Sequence, residues 1–204
     1  MIGACREPAR AEALRALPGR VEVEALDVTD RAAIGALAAK LADTPIDVWI
    51  ANAGVMTAEP AARPGAIPDE AWLEAFRVNV VGAIVCAGAF APMVARSEQR
   101  KMLVMSSYIG SIASNSAGGH YVYRASKAAL NAVWRSFAID HPELIAAALS
   151  PGALRTDMTR YDTARWAKLP EPAENIGKLR AIIARLTPAD SGTFHHFNGE
   201  RLPW

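Results

Sequence analysis

Six short apolar runs, at 2–5, 21–25, 46–50, 101–105, 144–149 and 192–197, constrain this chain more than any other feature. Most are separated by stretches with helical spacing: 8–17, 32–41, 69–96, 121–139 and 174–185. Strands separated by helices predict a parallel sheet, because parallel neighbours need long crossovers and right-handed crossovers lay helices on both faces. The expected class is therefore α/β, a doubly wound parallel sheet. Local signals agree. Thr29-Asp30 offers a helix N-cap before 32–41, and Asp69-Glu70 opens the long helix. The segment with Pro60, Pro64, Gly65 and Pro68, and the Ser/Gly/Asn-rich 106–119, read as loops. At 204 residues one domain, 1–204, is expected.

Charge narrows the function. Twenty-two Lys and Arg face 21 Asp and Glu, without a segregated basic block, which argues against nucleic acid. The most apolar stretch, 83–95, is interrupted by Gly88 and Pro92 and is too short to cross a bilayer. MIGACREPAR does not read as a secretory signal, so a cytoplasmic protein is expected. Cys5 and Cys86, far apart among apolar neighbours, read as reduced, buried thiols. His195 and His196 are adjacent and on a strand would point to opposite faces, a poor metal pair; no metal is expected. No G-x-S-x-G occurs and none of the four histidines offers a triad partner, which argues against a serine hydrolase.

Tyr123 and Lys127, four apart at the start of a helix, share one face. A phenol ionises near pH 10, and a neighbouring ammonium favours the phenolate, making the pair a proton donor for a carbonyl. Ser107 closes an apolar run, where open α/β sheets place ligands, and can donate to a substrate oxygen. Asn52-Ala53-Gly54 ends another run at the same edge.

In order, Asn52-Ala53-Gly54, Asn79 within Val78-Asn79-Val80, Ser107, Tyr123-Arg124-Ala125-Ser126-Lys127, and Pro151-Gly152 with Thr156 resemble the short-chain dehydrogenase/reductase family over nearly the whole chain. The terminal Asn198 to Trp204 further resembles its C-factor-like, carbonyl-reductase-like branch. The resemblance implies a Rossmann-type fold that moves hydride between NAD(P)H and a small carbonyl or alcohol. It implies Tyr123 as general acid-base, Lys127 tuning it and binding the nicotinamide ribose, Ser107 orienting substrate, and Asn79, at a helix kink, holding a water. Asp27-Val28 would lie against adenine, Asn52, Ala53 and Gly54 would line the cofactor with Pro151 and Gly152, and Thr156 would meet the nicotinamide amide. Two of these have plainer readings: Asp27 as a cap for the helix near Thr29, and Thr156 as a loop cap. Arg6, ending the first run, favours NADP over NAD, although Glu7 follows. Met158, Tyr161 and Trp166 in the lid segment 155–172 suit an apolar carbonyl, and small residues on 80–96 and 121–139 would suit a homodimer.

The family's first strand, glycine-rich loop and first helix have no counterpart: none of the 14 glycines forms G-x-G-x-x-G. The chain is therefore expected to be N-terminally truncated by about 25 residues, with the strand missing from the sheet centre and backbone groups on both neighbours left unpaired. The alternative is a non-catalytic binding or regulatory module with the same fold.

Overall fold

The computed structural model describes residues 1–57 and 64–204. In chain order the elements are β1 (Ile2–Cys5), α1 (Glu12–Arg15), β2 (Glu22–Ala25), α2 (Arg31–Lys40), β3 (Val48–Ala51), α3 (Asp69–Phe76), a π-helical segment (Arg77–Gly82), α4 (Ala83–Ala95), β4 (Lys101–Met105), α5 (Tyr121–Asp140), β5 (Ile145–Ser150), α6 (Thr163–Trp166), α7 (Pro172–Arg185) and β6 (Phe194–His196). The six expected strands are all present. The first expected helix is not: Pro8–Arg10 form a 3₁₀ turn and α1 has only four residues. Of the proline loop, Pro60 lies outside the described residues, while Pro64–Ala66 form a 3₁₀ turn.

All ladders between strands are parallel, but they form two sheets rather than one, β1-β2 and β3-β4-β5-β6. Burial follows the pairing. β5, paired on both sides, is buried throughout, and β4 nearly so, whereas β1 and β3 each have one unpaired edge and no fully buried residue. Ile2 and Ile50 are 37% and 42% exposed. Apolar side chains in the interior of a doubly covered parallel sheet are normally buried, so among the described residues β1 and β3 are sheet edges.

The four-stranded sheet is covered on both faces, with side chains alternating as the period of two requires. Met102, Val104, Ala146 and Ala148 pack with Trp134 and Phe137 of α5 and Ala87 and Val94 of α4. Leu103, Ala147 and Leu149 pack with Leu179 and Ile182 of α7. α2 joins the β2 end to α4 through Ile34, Leu37, Cys86, Phe90 and Met93. Its N-terminus is capped as expected: Asp30 accepts from the backbone N–H groups of Ala32 and Ala33.

Asp69–Ala95 is helical throughout, 27 residues long, because the π segment joins α3 to α4 without ending the helix. By length and composition it could cross a membrane, contrary to the expectation from 83–95 alone. It is a core helix here, with over half of its most apolar window buried. Cys86 is buried and Cys5 only half-buried; both thiols are free.

Candidate active site

Parallel strands bring their C-terminal ends to one edge, and the site assembles there. Ser107 follows β4, Asn52-Ala53-Gly54 follow β3, Pro151-Gly152 follow β5, and Arg6 and Asp27-Val28 follow β1 and β2. Gly82 carries Val28 onto the π segment: a Cβ there would lie 2.8 Å from the Val28 carbonyl oxygen. Arg6 and Arg77 both help hold the Asp27 carboxyl below its ordinary range, after the hydrogen bonds from Thr29.

α5 supplies Tyr123 and Lys127. Both are buried, and Lys127 Nζ stands 5.6 Å from the Tyr123 ring centre. Nζ donates to the Met105 carbonyl at 2.8 Å. Ser107 hydrogen-bonds the Tyr123 phenol. Asn79, 1% exposed, lies in the π segment. Its Oδ1 accepts from the Val55 N–H at 2.8 Å, and its Nδ2 donates to the Val55 carbonyl and to Ser126 Oγ, both at 2.9 Å. The chain at Gly54 passes so close that a Cβ would lie 3.3 Å from Asn79 Oδ1 and 3.4 Å from Lys127 Nζ. Sequence reasoning named Asn79 but missed Ser126, whose hydroxyl accepts from Asn79 and donates to the Tyr123 carbonyl. Its place beside Lys127 was the available signal.

The electrostatics differ from the expected lysine-acidified phenol. Burial pushes Tyr123 up to about 12, only partly offset by the Ser107 hydrogen bond, and burial brings Lys127 down to about 8. In the free protein desolvation outweighs the ammonium, which is directed at the Met105 carbonyl. The two shifts have opposite consequences for stability. Between pH 8 and 10.5 the unfolded chain holds the lysine proton that the folded chain has released, so stability rises with pH by about 3 kcal/mol. From about pH 10 to 12 the unfolded phenol ionises first, and stability falls. Lys127→Met is expected to abolish the rise between pH 8 and 10, measured by urea unfolding; an unchanged slope would show that Lys127 is not its source.

Asp27 makes an Asx turn, accepting from Thr29 N–H and Oγ1 at 2.8 Å, while Asp30 caps the helix. Thr156 caps the 3₁₀ turn Asp157–Thr159, and its carbonyl accepts from Trp166 Nε1 at 2.9 Å. Among the described residues no His, Cys, Asp and Glu cluster could hold a metal.

The residues present fit the nicotinamide half of a dinucleotide. Lys127 and Tyr123 present donors, and the glycine at 54 leaves beside them the space a Cβ would fill. They do not fit the pyrophosphate half, since among the described residues no glycine-rich turn leads from a strand into a helix N-terminus.

A Rossmann-type sheet with a Tyr-Lys pair and a serine at one edge defines a class of nicotinamide-dependent oxidoreductases. A family model described as enoyl-(acyl carrier protein) reductase matches residues 3–182, and the chain belongs to the short-chain dehydrogenase/reductase family of NAD(P)-dependent enzymes. Among relatives, the C-signal of Myxococcus xanthus is 37% identical over 171 residues, 83% of this chain and 99% of that protein. The 1-hydroxy-2-glutathionyl-2-methyl-3-butene dehydrogenase of Rhodococcus sp. strain AD45 is 31% identical, over 88% of this chain and 78% of its own. Among solved structures, carbonyl reductase Sniffer of D. melanogaster and the NADPH-bound carbonyl reductase from chicken fatty liver are each 28% identical, with TM-scores of 0.85. Each match covers all of this chain and 87% of the other.

Proposed function

We propose that the site catalyses NADP(H)-dependent reduction of an apolar carbonyl, or the reverse oxidation, with Tyr123 as general acid-base. The convergence of Ser107, Tyr123, Lys127 and Asn79 around the Gly54 chain carries this reading. A bound nicotinamide dinucleotide would supply the hydride. Ser107 Oγ holds the carbonyl oxygen, and the Tyr123 phenol gives its proton to that oxygen as the alcohol forms. Lys127 exchanges the Met105 carbonyl for a ribose hydroxyl, and its ammonium then stabilises the phenolate left behind. Asn79 fixes the Gly54-Val55 chain that floors the site. Met158, Tyr161 and Ile112 are exposed apolar side chains that would suit an apolar substrate.

Arg6 supports NADP: it is exposed and stands near Asp27 at the adenine end of the edge. The solved neighbours with bound NADP or NADPH point the same way. Arg6→Glu is expected to weaken NADPH about 10- to 100-fold, the worth of one charge-assisted bond, and to leave NADH unharmed. Equal losses for the two cofactors would remove Arg6 from phosphate recognition.

The competent form, on this reading, carries a further parallel strand between β1 and β3 whose following turn holds the pyrophosphate. The unpaired edges of β1 and β3 support this. The missing pyrophosphate cradle also favours a second reading, a binding or regulatory module, and C-signal, matched over 99% of its length by 171 residues, fits it. NADPH fluorescence titration decides, comparing the 204-residue chain with one extended by a strand and glycine-rich turn. Micromolar binding with turnover of an aromatic aldehyde by the extended chain is expected; neither chain binding would favour the module.

A further inference from the structure

Tyr123, Lys127 and Asn131 recur every four residues and lie along one stripe of α5. The first two belong to the site described above. Asn131 is 3% exposed, and both ends of its amide are engaged with the chain around Ser107. Its Oδ1 accepts from Ser106 Oγ at 2.6 Å, and its Nδ2 reaches the Gly110 carbonyl at 3.4 Å. Ser106 and Gly110 bracket the turn that presents Ser107.

The same turn is fastened from the sheet. Ser106 N–H donates to the Leu149 carbonyl at 2.7 Å, and Tyr108 N–H donates to Ser150 Oγ at 2.8 Å. Against α5 it has no clearance: a Cβ on Gly110 would lie 2.7 Å from Lys127 Cβ and 3.0 Å from the Lys127 carbonyl carbon. An amide buried beside Leu130 and Trp134 costs desolvation that an apolar residue would not, unless its bonds are made. Here they are made to Ser106 and Gly110, at the two ends of the turn that carries Ser107.

We propose that Asn131 is a positioning residue, which fixes Ser107 against Tyr123 by tying both ends of the Ser107 turn to the helix that carries Tyr123 and Lys127. This rests on the reading of Ser107 and Tyr123 as the reacting pair. A serine displaced by about 1 Å can cost about 100-fold in rate, and the Ser107 hydrogen bond is what counters burial at the Tyr123 phenol.

The test reads the phenol directly and needs no turnover. In the 204-residue chain carrying ¹³C-labelled tyrosine, the Tyr123 ζ-carbon signal is assigned with Tyr123→Phe, and Ser107→Ala defines the shift that accompanies loss of the contact. Asn131→Leu is expected to reproduce most of that shift. Asn131→Asp, which keeps an oxygen for Ser106, is expected to return toward wild type. Ser106→Ala combined with Asn131→Leu is expected to move the signal no further than Asn131→Leu alone, since the two act through one link. Should Asn131→Leu fail to fold, Ser106→Ala carries the test with the same expected direction. In a form that turns over, Asn131→Leu is expected to lower kcat about 10- to 100-fold with KM for NADPH unchanged. A signal that stays at the wild-type position in Asn131→Leu or Ser106→Ala, while Ser107→Ala moves it, overturns the positioning role alone. A signal unmoved by Ser107→Ala overturns the Ser107–Tyr123 pair itself, and the proposal with it.

Discussion

Replacing Tyr123 by Phe is expected to lower carbonyl reduction about 100- to 10,000-fold in a form that turns over, with NADPH binding little changed. The substitution removes one oxygen from a ring that is already 91% shielded, so packing is kept and the proton source is lost. With the phenol at about 12 in the free protein, it is protonated at neutral pH and ready to donate. Without the phenol the developing alkoxide would have to take its proton from water or from Ser107, a far weaker acid. Steady-state NADPH oxidation checks the result. A Tyr123→Phe enzyme within tenfold of wild type would show that another group delivers the proton.

Trp134→Ala is expected to destabilise the fold by about 3–5 kcal/mol, a large share of what a domain of this size has. Trp134 is fully buried and stacks on Phe137 at 4.8 Å and on Trp49 of β3 at 6.4 Å, with Phe90 of α4 beyond Trp49 at 6.3 Å. That ladder seats α5 on the sheet, and α5 carries Tyr123, Lys127 and Asn131. Trp134→Phe is expected to cost less, because the indole Nε1 is buried without a partner and its removal offsets part of the lost area. Urea midpoints of the two variants give the comparison; equal midpoints would mean that the space left by alanine is refilled by its neighbours.

Local pattern was enough to find β1 through β6, because apolar runs bounded by turns mark strands whatever their partners. It failed at 8–17, where the apolar residues were spaced for a helix but no buried face awaited them: neither Pro8–Arg10 nor α1 contains a buried residue. The helix through 69–95 was legible at its full length, but the π turn at Arg77–Gly82 inside it was not, since it leaves no mark in composition. The sequence named Ser107, Tyr123, Lys127 and Asn79, but Ser126 and Asn131 act through partners 47 and 25 residues away. Such pairings are invisible until the chain is folded.

By itself the order of residues determined the α/β class, the six strands and the helical Tyr123–Lys127 spacing, all of which depend on near neighbours and on the periods of helix and strand. Tertiary structure alone decided that the strands form two sheets, β1-β2 and β3-β4-β5-β6, and that the phenol stands above rather than below its ordinary pKa. Both are matters of what surrounds a group in space: a strand is an edge only when nothing lies beside it, and a phenol is desolvated only when distant segments close over it.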